Sequence, residues 1–320
     1  MPHVYDPPSG ILATANGRIA PDGYKYSIST DWDAPWRTDR IYRVLESGKK
    51  FAPADMLALQ MDVSSTYDRF CADKFVYAVD HAASASDRAK RAVDILRDWD
   101  GRMSADSAAP TIETKARQEL ARLLLEPKLG AAADAPASGP ASGALSGNLS
   151  WRSYRWGMSS VWLENVLTKQ PARWLPPGYS DYGSVLTAAV ENAVKQKDVP
   201  SDLSQWKWGK NYPVEIDHPV LSQLPMIGRF TGPGLHPLSG SNYTVKAGGR
   251  GFGASERLTW NFANFDESTL NVVTGESGIF LSPHYMDQWA AWYGGSTFAF
   301  PFSQAAVGQH RAHEMTLEPR

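Results

Sequence analysis

Ser255-Glu256-Arg257-Leu258-Thr259-Trp260-Asn261-Phe262 alternates polar and apolar side chains over eight positions. In an extended chain, successive side chains point to opposite faces, so this alternation predicts a half-buried β-strand. Shorter strand candidates follow at 270–273 and 279–281, split by the turn-forming run Thr274-Gly275-Glu276-Ser277-Gly278. A short helix is expected over 284–292. Upstream the period changes from two to about three and a half. Ile41, Val44 and Leu45 share one helical face, and Met56, Leu59 and Val63 share another, behind Pro53 and Asp55, which both suit a first helical turn. Further helices are expected over 87–98 (Ala92, Ile95 and Leu96 inward), 114–125 (Leu120, Leu123 and Leu124 inward), 151–167 and 182–195. Before them come short apolar pieces and turns, in which Asn16-Gly17 reads as a tight turn because both residues tolerate positive φ. Strand and turn, then helices, then strands is an α+β order, not an alternating β-α-β one.

Composition narrows the function classes. The 320 residues carry 32 Lys and Arg against 34 Asp and Glu, a net charge of -2. Without a basic excess or stripe, nucleic acid is not an expected partner. The single cysteine, Cys71, excludes an intramolecular disulfide and any multi-cysteine metal site. No apolar run reaches the roughly 18 residues of a membrane span, so no membrane association is expected. The N-terminal residues lack the basic start and apolar stretch of a signal peptide, which predicts a cytoplasmic chain if it is made as written. Residues 130–147, almost all Ala, Ser, Gly and Pro, read as a flexible loop.

Three stretches together resemble the penicillin acylase (penicillin amidase) family of N-terminal-nucleophile hydrolases. The first runs from Pro7-Pro8-Ser9-Gly10 through Asn16-Gly17-Arg18 to Ser29-Thr30-Asp31-Trp32 and Trp36-Arg37-Thr38-Asp39-Arg40-Ile41. The second is Trp206-Lys207-Trp208-Gly209-Lys210 with His218-Pro219-Val220. The third joins Gly253-Ala254-Ser255-Glu256-Arg257, Thr274-Gly275-Glu276-Ser277-Gly278 and Ser282-Pro283-His284-Tyr285-Met286-Asp287-Gln288. Their order matches the C-terminal part of the family's large (β) subunit. The resemblance implies a fragment of the four-layer αββα fold. Residues 1–34 would be core strand and turn, 35–245 a mostly helical excursion, and 246–320 the return strands and a C-terminal helix.

The activity implied is hydrolysis of a linear amide to a carboxylic acid and an amine. In the family, a serine at the start of the β subunit attacks the amide carbonyl, its own α-amine acting as base, and an acyl-enzyme forms. An asparagine side chain helps hold the oxyanion; its counterpart here is Asn16. The arginine of the following helix corresponds to Arg37, expected to order the site. Arg37 also falls among Ile41, Val44 and Leu45, where a guanidinium needs a partner, Asp31 or Asp33 being candidates. Trp32 and Trp36 are candidates for lining the acyl pocket. The nucleophile is expected upstream of Met1, so the chain alone is expected to be inactive. Pro2 has no hydroxyl or thiol. Gly240-Ser241-Asn242-Tyr243 imitates a nucleophile stretch but lies downstream of Asn16, and a cut there would separate the third block.

The expected partners are therefore the upstream part of the β subunit, an α subunit and a small acyl-amide substrate. An exported precursor would place them in the periplasm or outside the cell. The family makes calcium a cofactor candidate, but no ligand set maps onto these residues. His218, His284, His310 and His313 invite a metal reading, but His310 and His313 read as a solvated tail and His284 lies in a block read as structural. The competing expectation is a non-catalytic remnant or separately encoded subunit that completes a partner chain, since open sheet edges attract partners.

Overall fold

The computed structural model describes residues 2–29, 32–129, 159–224 and 226–319. The expected loop at 130–147, the first part of the helix expected over 151–167 and Asp31 lie outside them. Ten helices are described: α1 (Trp36–Leu45), α2 (Pro53–Gln60), α3 (Thr66–Asp80), α4 (Asp87–Arg97), α5 (Ala109–Leu129), α6 (Ser159–Lys169), α7 (Tyr182–Val194), the single turn α8 (Trp208–Asn211), α9 (Trp289–Gly294) and α10 (Gln304–His310). Seven short strands all belong to the C-terminal third: β1 (Val214–Glu215), β2 (Leu235–His236), β3 (Gly248–Gly249), β4 (Phe252–Gly253), β5 (Glu256–Thr259), β6 (Thr269–Val272) and β7 (Phe298–Ala299). This is the mixed helix-and-sheet class that the order of sequence patterns implies.

The main core is helical. It is built by α3, α4, α5 and α7, with α5 packing most extensively on α7 and α3 lying against the other three. Phe75, Leu96, Ile112, Leu120, Leu124, Val185 and Val190 are almost fully enclosed there. Starts are fixed locally: Ser65 accepts from Asp68 N at 3.2 Å, Ser86 from Ala89 N at 3.2 Å and Asp181 from Ser184 N at 2.7 Å. Each satisfies a backbone N–H that the first helical turn leaves without a partner. Pro53 opens α2 as expected, and Asp55 accepts from Ala52 N at 2.8 Å.

One helix has no counterpart in the sequence reading. The inward face of α3 holds Tyr67, Asp68, Cys71, Ala72, Phe75, Ala78 and Val79, a helical spacing blurred by an aspartate and two alanines. Its Asp68 faces a second carboxyl, Glu113 of α5, across Arg117. Arg117 Nη2 donates to Asp68 Oδ1 at 3.0 Å and Nε to Glu113 Oε1 at 2.8 Å, and both acids are fully buried. The rings of Tyr67 and Tyr243 each lie 5.3 Å from the guanidinium.

The sheet differs from expectation in three respects. First, β5, β6 and β7 form an antiparallel sheet in that order, with Glu256 opposite Val272 and Thr259 opposite Thr269. Its first two strands answer the expected pair, but the third is β7. Residues 279–281 form a turn instead, with Ser282 N donating to Ile279 O and Ile279 and Leu281 exposed. Second, β5 is turned over. The polar side chains Arg257 and Thr259 are buried, while Trp260 and Phe262 face outward. Arg257 Nη1 donates to Trp292 O at 2.7 Å and its guanidinium stacks on the Trp292 ring, and Gln60 Nε2 donates to Thr259 Oγ1 at 3.3 Å. Those partners satisfy polar groups that burial would otherwise penalise. Trp260 and Phe262 instead cluster around Phe265, which also meets Phe302.

Third, no strand is found among the described residues of 1–34. A strand needs a backbone partner, and here Tyr42 Oη and Thr38 Oγ1, from α1, accept from Ala13 N and Ala15 N at 3.2 and 3.1 Å. The short helix expected over 284–292 begins only at Trp289, after consecutive turns, and ends at Gly295, whose φ of 82° lies in the left-handed region.

Candidate functional site

Asn16 and α1 come together at an open cleft of about 620 Å³, lined by residues 14–17, Ile19, Trp32 and Asp33. The local sequence dictates the shape of this wall. Asn16 has φ 63°, a left-handed conformation that asparagine tolerates better than most residues. The expected two-residue positive-φ turn is therefore a single left-handed residue. Gly17 lies close to α1: a Cβ there would sit a tight 3.3 Å from Thr38 Oγ1. Thr38 and Tyr42, one turn apart on α1, grip the backbone at 15 and 13, and Asp33 N donates to Asn16 O at 3.2 Å.

Arg37, in the first turn of α1, faces the same residue. Its Nη2 donates to Asn16 Oδ1 at 2.8 Å and to Asp33 Oδ2 at 2.9 Å. A guanidinium offers donors only, so the amide oxygen must face it and the Asn16 Nδ2 group must point elsewhere. The arrangement answers the partner question raised by the sequence: Asp33 carries the ion pair, with the Arg37 side chain 17% exposed and that of Asp33 47% exposed. The cleft thus holds a neutral N–H₂ donor whose orientation is set by a charged neighbour. Such a donor suits an oxygen that becomes negative during a reaction.

The two tryptophans part company. Trp32 lines the cleft. Trp36, expected beside it, is not among the cleft-lining residues. Its indole N–H donates to Ser160 Oγ at 2.9 Å, and its ring stacks on Tyr67 at 5.2 Å and 12°, so it ties α1 to α3 and α6. Alternation along α1 explains this, since adjacent positions on a helix face about 100° apart.

The other residues singled out by the sequence serve local structure. Gly240 has φ 108°, and Ser241 is buried with its Oγ accepting from Tyr243 N at 3.2 Å. Trp208 Nε1 donates to Gly240 O at 3.1 Å. His218 Nδ1 accepts from Val220 N and Leu221 N at 3.1 and 3.0 Å, closing a turn. His284 Nδ1 lies 2.9 Å from Asp287 Oδ2, and His313 is exposed. Among the described residues no three His, Cys, Asp or Glu side chains group as a metal site. Among the described residues, too, no helix is long and apolar enough to cross a membrane.

Comparison with known proteins gives the same direction from both sequence and fold. The family model described as Penicillin amidase matches residues 1–309. Penicillin acylase 2 proenzyme of Pseudomonas sp. (strain SE83) is 28% identical over 301 residues, covering 91% of this chain and 36% of that protein. Acyl-homoserine lactone acylase QuiP of Pseudomonas aeruginosa is 26% identical over 357 residues, covering 99% of this chain and 40% of that protein. Among solved structures, thermostable penicillin G acylase from Alcaligenes faecalis superposes with a TM-score of 0.58 at 18% identity, over 99% of this chain and 58% of that one. That likeness speaks to the fold. The chain spans about two fifths of the length of the curated relatives it matches.

Proposed function

The chain belongs to the penicillin amidase family, and from that premise we propose that it supplies the oxyanion donor of a linear-amide hydrolase whose nucleophile comes from outside these 320 residues. The observation that carries the proposal is the 2.8 Å hydrogen bond from Arg37 to Asn16 Oδ1. It leaves the Asn16 N–H₂ as the group available to a reacting oxygen.

The chemistry follows from the resemblance and the geometry together. A serine at a free chain start attacks the amide carbonyl, and its α-amine, which ordinarily titrates near 7.7–8.0, takes the hydroxyl proton. As the carbonyl oxygen gains negative charge, Asn16 Nδ2–H donates to it. The amine leaves with a proton, and water attacks the acyl-enzyme to release the acid. Because the donor is neutral and already oriented, little reorganisation is needed at the moment charge appears. Arg37 is a positioning residue here, acting through Asn16. The substrate is an acyl amide, the bond shared by the penicillins and acyl-homoserine lactones named in the relatives' titles. The partners are the remaining part of a β subunit and an α subunit, and an exported precursor would carry out this chemistry in the periplasm or outside the cell.

Two expected outcomes test the reading. The 320-residue chain alone, offered chromogenic acyl amides, releases no acid. Turnover by the isolated chain that survives Asn16→Ala contradicts the assignment. In the complete enzyme, Arg37→Ala lowers kcat roughly 10- to 100-fold, the scale of one charge-assisted hydrogen bond, with KM little changed. An unchanged kcat with only a lower yield of folded protein makes Arg37 a structural ion-pair partner.

A second reading has its own support. Val4, Tyr5, Leu12, Ile19 and Tyr26 are all more than half exposed, an apolar display suited to a partner chain. On that reading the polypeptide completes a partner and takes no part in catalysis; an enzyme indifferent to Asn16→Ala would favour it.

A further inference from the structure

We propose that the groove between α3 and the start of α7 binds a monocarboxylate with an apolar body, its carboxylate held by Lys74. The groove has a volume of about 640 Å³, within the size range of small-molecule sites. Phe70, Lys74 and Tyr77 stand at successive turns of α3 and form one wall, while Tyr182 and Leu186 of α7 form the other. Three aromatic rings and a leucine make the body of the groove apolar, and the ammonium sits in the middle of that stripe.

Charge decides which ligand fits. Lys74 Nζ lies 5.3 Å from the Phe70 ring centroid and has no carboxylate partner among the described residues. Two acids border the groove, but both are engaged. Asp73 pairs with Arg69. Asp181 accepts from Ser184 N at 2.7 Å and Ser180 Oγ at 2.7 Å, and it sits at the positive end of α7. Asp181 keeps its negative charge, since its donors are neutral, so the groove carries both signs; Lys74 is the charged side chain there with no ion pair among the described residues, and it stands beside an apolar surface, the complement of a fatty or aryl carboxylate.

The rim is fixed in place. Gln170, which borders the groove, has φ 46° and ends α6 as a left-handed cap, its N donating to Val166 O at 2.8 Å. The adjoining Pro171 O accepts from Tyr182 Oη at 2.9 Å, which ties the rim to α7. None of these residues touches Asn16 or Arg37, so the inference stands apart from the proposed hydrolysis.

The test is isothermal titration of the whole 320-residue chain with octanoate and with octylamine at neutral pH. Octanoate is expected to bind saturably at one site, and octylamine to bind at least tenfold more weakly. Lys74→Met is expected to weaken octanoate at least tenfold, and Tyr77→Ala, at an exposed position, to weaken both ligands several-fold. Circular dichroism of both variants should match the parent. Equal binding of octylamine, octanoate binding unaffected by Lys74→Met, or no octanoate binding up to roughly millimolar concentration overturns the proposal.

Discussion

In the complete enzyme, Asn16→Ala is expected to lower kcat by roughly 10²–10³-fold, equivalent to about 2.7–4 kcal/mol of lost transition-state stabilisation. The expectation follows from placement. The Asn16 Oδ1 is committed to Arg37 at 2.8 Å, which leaves the N–H₂ of this cleft-lining residue uncommitted to Arg37. A donor aimed at a developing charge acts mainly in the transition state, so KM should change little. Asn16→Asp offers a sharper version. It keeps the shape and the acceptor for Arg37 but replaces a donor with a carboxylate oxygen that repels an oxyanion. It should be at least as damaging as alanine. Steady-state kinetics on any acyl amide turned over by the parent reads both. A variant with normal kcat and raised KM would make Asn16 a binding residue and not an oxyanion donor.

The second large effect concerns stability. Arg117→Met should destabilise the folded chain by about 3–5 kcal/mol, because it leaves Asp68 and Glu113 buried without their shared cation. Both carboxyls are fully enclosed, and Asp68 Oδ2 has no hydrogen-bond partner among the described residues. One guanidinium balances only one carboxylate. Burial, opposed by Arg117 and reinforced by Asp68, pushes the Glu113 carboxyl up from its ordinary 4.5 to about 8. Between those values the folded chain keeps a proton that the unfolded chain releases. The contribution of Glu113 to stability should therefore be fullest below the lower value, fall as pH rises through the window and level off above about 8. Glu113→Gln should flatten that slope. Urea midpoints measured across the pH range decide it, and a slope between pH 5 and 8 that Glu113→Gln leaves unchanged contradicts the account.

The sequence announces this fold where polarity and period agree and hides it where they conflict. The faces of α4 and α5 repeat cleanly enough for Ala92, Leu96, Leu120 and Leu124 to be read in advance, and Pro53 and Asp55 mark the start of α2. In α3 the inward face carries Asp68 and Cys71 among small alanines, so hydrophobic periodicity is weak although the spacing is helical. Glu113 and Arg117 are four residues apart, a spacing that ordinarily marks a solvated helix pair. Only their position among Ala109, Ile112, Ala116 and Leu120 points inward. In β5 the alternation is real, but the buried side is the polar one. Arg257 and Thr259 find partners in Trp292 and Gln60, which are 35 and 199 positions away from the residues they bind. No local pattern reports such distant partners.

At the cleft, the sequence offered Asn16, Arg37 and Trp32, and the structure brings these three to one place. Trp36 stands only four positions from Trp32 in sequence, yet its direction on α1 leads to Tyr67 and not to the cleft. Thr38 and Tyr42 escaped notice: nothing in a threonine or tyrosine on a helix face indicates that it will hold the backbone of residues 13 and 15. Their spacing of four, which places both on one stripe of α1, was the available signal.

The most direct measurement compares two affinities in the complete enzyme and its Asn16→Ala variant: one for a tetrahedral phosphonate analogue of the amide turned over, the other for the amide itself. If the Asn16 N–H₂ recognises the charged oxygen, the analogue should lose at least about a hundredfold in affinity while the amide loses little. Equal losses for both, or none for the analogue, would show that the charge is held elsewhere.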